Sequence, residues 1–228
     1  MNDTSIVCGC KSWNRWVFDA TISKFPGTWR YFSTKEELTA ANVKKISPRY
    51  IFFLHWSWIV PQNVLDAAEC VNFHMTDLPF GRGGSPLQNL ILLGKTETVL
   101  TAHRMTKELD AGPVYLKKPL SLDGTAQEIL ERSSALAATM IETIIKTYPE
   151  PVPQTGEVVI FRRRTPAESE IPKGLSPKQL YDFIRMLDGE GYPAAFRQHD
   201  GFRSELRNAR LAEGGRVEAD ETVLPNPS

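Results

Sequence analysis

Cysteine is scarce in this chain: three among 228 residues, at positions 8, 10 and 70. An odd number that small excludes the disulfide framework of compact secreted domains. Cys8 and Cys10 share a face if their run is a strand, but two thiols without further ligands make a poor metal site. All three are read as buried, reduced thiols, and no metal is expected. Net charge is missing too, with 27 Lys plus Arg against 27 Asp plus Glu. Proteins that grip nucleic acid by neutralising phosphates usually carry a basic excess, so the balance disfavours a large polyanionic partner. No apolar run approaches the roughly 20 residues that span a bilayer. The polar start, residues 1–5, lacks the basic-then-apolar order of a secretory signal. The expectation is a cytoplasmic protein without a membrane partner. No G-x-G-x-x-G occurs, and no G-K-[ST] follows the glycines at 81, 83 and 84 at P-loop spacing, so they fit no dinucleotide or P-loop pattern.

What is present is enough chain for a full-sized core. Short apolar runs at 6–10, 29–32 and 50–54 alternate with amphipathic stretches at 12–23 and 33–45, the second opening on Ser33 and Thr34 as a capping signal. Alternation of this kind predicts an α/β fold: a Rossmann-like, mostly parallel sheet flanked by helices. A helix at 62–68 leads into a strand carrying Asn72 and His74, and Ser85-Pro86 starts another helix. Residues 97–105 and 114–119 read as paired strands. The longest helix covers 125–148, with Ile129, Leu136, Met140 and Ile144 as its buried stripe. Pro149, Pro151 and Pro153 then mark a boundary, giving a catalytic domain over 1–150. A small appendix over 151–212 contains a short strand, a helix at 177–187 and a hairpin turning at His199-Asp200-Gly201. The polar residues 213–228 are expected to be an unstructured tail. Arg162, Arg163 and Arg164 read as a solvated loop, with a clamp for a nucleotide-linked substrate as the alternative.

The chemistry concentrates in residues 69–113. Asn72 and His74 lie two apart, which in a strand puts both on one face. Asp110 stands in a turn of Asp-Ala-Gly-Pro, ordinary turn chemistry when taken alone. Together, an amide, an imidazole and a carboxylate can stabilise an oxyanion and manage a proton. No activated Ser or Cys nucleophile accompanies them, so the set suits direct acyl transfer to an amine.

These motifs resemble those of the formyltransferase family that uses 10-formyltetrahydrofolate as one-carbon donor. The family's N-x-H stands here as Asn72-Phe73-His74, and its loop after that strand as the stretch from Thr76 to Pro86. Its L-D-x-G turn stands as Leu109-Asp110-Ala111-Gly112. The strand before that turn, Thr101-Ala102-His103-Arg104-Met105-Thr106, also looks like the family's. The resemblance implies a catalytic triad of Asn72, His74 and Asp110. It implies a folate pocket lined by Trp56, Ser57, Trp58, Ile59, Met105, Thr106 and Lys107. It also implies an acceptor wall of Thr76, Asp77, Phe80, Arg82 and Gly83. Departures from the pattern fall in that wall: Thr76-Asp77 stands where Ser-Leu is usual, and Phe80-Gly81 where a tyrosine commonly precedes the arginine. The expected acceptor is therefore a small amine, first of all a nucleotide-linked amino sugar. Methionyl-tRNA, a hydroxyornithine-type amine and a non-catalytic folate- or nucleotide-binding role are the alternatives. A homodimer is left open.

Overall fold

The computed structural model describes residues 3–225. In chain order the elements are β1 (Thr4–Gly9), α1 (Ser12–Ala20), β2 (Thr28–Phe32), α2 (Ala40–Ile46), β3 (Tyr50–Leu54), α3 (Gln62–Leu65), β4 (Glu69–His74), β5 (Arg82–Gly83) and α4 (Pro86–Leu92). They continue with β6 (Glu97–Arg104), β7 (Val114–Ser121), α5 (Ala126–Thr147), β8 (Ile160–Phe161), α6 (Pro177–Arg185), β9 (Ala195–His199), β10 (Phe202–Ala212) and β11 (Arg216–Pro225). The α/β expectation holds. A six-stranded sheet runs in the order β2-β1-β3-β4-β6-β7. The pairings of β1 with β2 and β3, and of β3 with β4, are parallel, whereas β4 and β6 are antiparallel.

Burial on both faces makes the central strands continuously apolar. In β3, Ile51, Phe52 and Phe53 are all fully buried. Ile51 and Phe53 join Ile6, Cys8 and Cys70 in one core cluster with Val43 and Val64. Phe52 makes its ring contacts with Trp29, Tyr50 and Phe73 instead. Cys8 and Cys70 are free thiols, and burial pushes both upward, Cys70 to about 12.

Three expectations about individual elements change. Ser33 and Thr34 do not start a helix: the Glu37 carboxylate accepts from both of their backbone N–H groups and closes a single turn. The helix begins at Ala40, where Thr39 accepts from Asn42. On α5, Leu136 is only half-buried, and the stripe is completed by Leu130, Ala137 and Ile141. Residues 216–225 are not a loose tail but strand β11. It pairs antiparallel with β10, placing Leu211 opposite Val217 and Arg210 opposite Glu218. Gly214 and Gly215, both at positive φ, make the turn between them. Residues 226–228 lie outside the described part.

The chain divides into two compact units that interleave in sequence. The first holds residues up to Gly83 with 98–120 and 131–160, so it contains the six-stranded sheet apart from the sheet's β6 and β7 tips. The second takes 84–97, 121–130 and the chain from 161 onward, with α4, α6 and the sheet of β9, β10 and β11. The proline-rich stretch at 149–153 is thus no domain boundary. Val152 and Val114 exchange backbone hydrogen bonds of 2.7 and 2.8 Å, which stitch that stretch to β7 within the first unit. In the second unit the Arg185 guanidinium is buried. It donates to the carbonyls of Leu122 (2.6 Å) and Gly124 (2.7 Å) and to Asp182 (2.7 Å).

Candidate active site

Strand β4 positions the first two groups. Its alternation puts Val71 and Phe73 on one face, and Asn72 and His74 on the other at the strand's carboxyl end. The antiparallel register with β6 sets Asn72 directly opposite His103 and His74 opposite Thr101. Asp110 follows in the turn after β6. Its φ of 52° is a left-handed conformation that Asp tolerates better than most residues. The next-but-one residue must be small, because a Cβ on Gly112 would lie 1.9 Å from the Arg104 carbonyl oxygen.

Four side chains meet as a result. Oδ2 of Asp110 is 3.6 Å from Nδ1 of His74, and Oδ1 is 3.4 Å from both Nε2 of His103 and Nδ2 of Asn72. The Gly83 N–H donates to Oδ2 at 3.0 Å. Burial works against the Asp110 charge, but His103, His74 and the Gly83 amide outweigh it and hold the carboxyl below its ordinary range. His74 is pulled the opposite way: burial lowers its pKa, and Asp110 and the Gly81 carbonyl only partly restore it. Nε2 of His74 lies 2.8 Å from the Gly81 carbonyl oxygen. A carbonyl only accepts, so Nε2 carries hydrogen and Nδ1 faces the carboxylate as the atom that gains or loses a proton. Asn72 lies 3.3 Å from His103 Nε2, while His103 Nδ1 donates to the Arg104 carbonyl at 3.0 Å.

His103 is therefore a fourth member that the sequence reading did not name as a site residue. Alternation along 97–104 puts it on one face with Thr101, but its meeting with Asn72 depends on which strand lies beside β4. Gln154 was missed as well. Its side-chain amide contacts both the Asp110 turn and Arg82.

The residues expected to hold a folate fall into two groups. Trp56 packs edge-on against Phe53 and Trp58, with ring centroids 6.1 and 4.8 Å apart, and sits with Met105 against the same core cluster. Its indole N–H is buried with no partner among the described residues. An orphaned donor on an aromatic wall fits a flat heterocycle that carries acceptors. Ser57 Oγ instead meets Cys10 Sγ at 3.2 Å. Ile59 is 83% exposed, Lys107 is exposed, and the Thr106 hydroxyl donates to the Glu108 carbonyl at 3.0 Å.

The residues of the expected acceptor wall occupy different settings. Thr76 is completely buried, its hydroxyl bonding Gly81 O at 3.4 Å and its carbonyl accepting from Thr101 at 2.6 Å. It braces the loop from inside. Asp77 is exposed and paired with Lys117. Phe80 is half-buried, Gly83 serves Asp110 through its amide, and Arg82 lies beside the carboxylate turn with its side chain 12% exposed.

A further imidazole, His55, follows β3 directly at a φ of 49°. With the Asn14 amide oxygen turned toward it, that oxygen accepts from His55 Nδ1 (3.1 Å), Trp13 Nε1 (3.2 Å) and Ser134 Oγ (3.0 Å), while the amide nitrogen donates to Leu54 O. Burial, aided by Lys11, lowers His55 to about 4.

Residues 18–143 match the formyl transferase family, and 166–223 match the C-terminal domain of methionyl-tRNA formyltransferase. The chain belongs to the formyl transferase family. A solved methionyl-tRNA formyltransferase from Clostridium thermocellum is 42% identical, with a TM-score of 0.92 over 98% of this chain and 99% of that one. A curated methionyl-tRNA formyltransferase of Cereibacter sphaeroides is 33% identical over 164 residues, covering 68% of this chain and 53% of that protein. The chain spans about half the length of the curated relatives it matches. A sugar N-formyltransferase from Shewanella shares the fold at 16% identity, with a TM-score of 0.64. Formyltransferase membership accounts for the order of the motifs along the chain. Among the described residues no helix is long and apolar enough to cross a membrane.

Proposed function

We propose that this formyltransferase moves a formyl group from 10-formyltetrahydrofolate to a primary amine. The observation that carries the reading is the convergence of Asn72, His74 and Asp110, and the orphaned Trp56 indole N–H supports a flat heterocyclic donor. The acceptor nitrogen attacks the formyl carbon, a C–N bond forms, and the bond from that carbon to N10 of the donor breaks. Asn72 supplies an N–H to the oxygen as negative charge develops. His74 takes the proton released by the amine at Nδ1, where Asp110 stabilises the imidazolium. The same ring can return a proton to the departing nitrogen.

The favoured acceptor is the α-amino group of methionyl-tRNA. Support comes from the match of the C-terminal segment and from a relative of that name over nearly the whole chain. A nucleotide-linked amino sugar is the second reading, favoured by the absence of net positive charge. Incubating the protein with 10-formyltetrahydrofolate and each amine, with product read by mass spectrometry, separates the two. Formylmethionyl-tRNA is the expected product. A formylated sugar with no reaction on the tRNA would overturn the acceptor while keeping the chemistry, and release of no formyl product from any amine would overturn both.

A further inference from the structure

Gln154 sits at the end of a Pro-Glu-Pro-Val-Pro run that reads as a linker, yet its side chain uses its full hydrogen-bonding capacity. Nε2 donates to the carbonyls of Asp110 and Gly112, both at 2.8 Å. Oε1 accepts from Nε and Nη2 of Arg82, at 3.1 and 2.8 Å. Two hydrogens and two lone pairs are all that a primary amide has. Arg82 precedes Gly83, whose N–H holds the Asp110 carboxylate. The contacts therefore close a ring: Gln154 to Arg82, along the chain to Gly83, across to the Asp110 carboxylate, through the Asp110 backbone and back to Gln154. The ring's root is fixed two residues earlier, where Val152 is bonded to Val114.

We infer that Gln154 is a positioning residue, which sets the Asp110 carboxylate against His74 by clamping the left-handed Asp110 turn and the Arg82-Gly83 strand together. No other side chain substitutes for it. Glutamate keeps the acceptor for Arg82 but offers no N–H to the two carbonyls. Lysine and arginine offer donors but no acceptor. Asparagine is one methylene short of spanning the same four atoms. The amide is also neutral, so it holds Arg82 without cancelling its charge. The nearest carboxylate to that guanidinium, Glu108, is 3.4 Å away and 78% exposed.

The catalytic meaning rests on the proposed transfer reaction, but the positioning does not, so the test reads His74 directly. The titratable groups facing His74 are Asp110 from the turn and His103 from β6. If the clamp is cut, the carboxylate moves away, and the attraction that opposes burial weakens. In Gln154→Met and Gln154→Leu, the His74 midpoint followed by imidazole NMR should fall by about half a unit or more. Turnover should drop about tenfold or more at an unchanged KM for the formyl donor. A midpoint equal to that of the wild type in either folded variant overturns the inference. The unmodified protein gives a second readout that requires no variant to fold. The Gln154 side-chain amide protons should exchange with solvent far more slowly than those of exposed Gln198, and equal exchange overturns the clamp. A wild-type chain that formylates no amine removes the transfer reading, while the titration still decides the role of Gln154.

Discussion

His55 gives the protein an acid sensitivity whose size can be worked out in advance. In an unfolded chain a histidine titrates near 6.5, whereas here the folded value is about 4. Between those values the unfolded state binds a proton that the folded state refuses, so stability is present in full above pH 6.5 and is lost as the pH falls toward 4. Below 4 both states are protonated and the loss stops growing. At pH 5 the full linkage amounts to about 2 kcal/mol, and partial solvent access to the ring trims it to about 1–2 kcal/mol. Burial of His74 acts with the same sign, and the lowered carboxylates Asp110 and Glu37 act only in more acid solution. A variant is therefore needed to isolate His55. His55→Asn is suitable, because Asn tolerates a φ of 49°. Urea unfolding of both proteins at pH 7 and pH 5 gives four free energies, and the constant cost of the substitution cancels in the double difference. The wild type should lose about 1–2 kcal/mol more than the variant on acidification. Equal losses, or a larger loss in the variant, would show that the imidazole stays protonated within the fold and that the network with Asn14 has another basis.

Three further outcomes follow from the site and the core. Asn72→Ala and His74→Ala should each lower kcat by about a hundredfold or more with little change in folate affinity, and near wild-type turnover in both would remove the mechanism. His103→Met keeps the volume but removes the nitrogen beside Asn72 and Asp110. It should raise the Asp110 pKa, seen as movement of the acid limb of the rate profile to higher pH, and an unmoved limb would make His103 a packing residue. In the second unit, Arg185→Met removes the donor to the Leu122 and Gly124 carbonyls and leaves Asp182 with Lys178 alone, so chemical denaturation should show a loss of about 3 kcal/mol, with a loss under 1 kcal/mol as the contrary result.

The parts of this molecule legible in its sequence are those encoded by local pattern. The apolar runs of β1 and β3, the strand carrying Asn72 and His74 and the hairpin around Asp200-Gly201 are each visible over a few residues. Asn72, His74 and Asp110 were legible because two lie on one strand face and the third in a short turn. His103 was not, because its role arises from strand pairing across 31 residues. Gln154 was hidden by its neighbours, since prolines that suggest a linker also suit an extended segment held by a β-bridge. Strand β11 was missed because exposed polar residues on an edge strand look like a solvated tail. The Gly214-Gly215 pair between two alternating runs was the overlooked signal. Ser33 and Thr34 misled for the opposite reason, since a carboxylate three or four residues on can satisfy the N–H groups of a lone turn as readily as those of a helix.

The antiparallel register that sets Asn72 opposite His103 also makes the site modular. Its groups are carried by β4, the Gly81–Gly83 segment, β6 and the turn at Asp110, with Gln154 bonded to that turn, and none of them comes from residues 86–96. Gly94, at a φ of 72°, opens onto free space. Lengthening a flexible loop costs free energy that grows only with the logarithm of its length. Extra sequence spliced in beside Gly94 and Lys95 would therefore leave the ladder in register. This connection between α4 and β6 is a place where a recognition element or reporter can be grafted without rebuilding the chemistry.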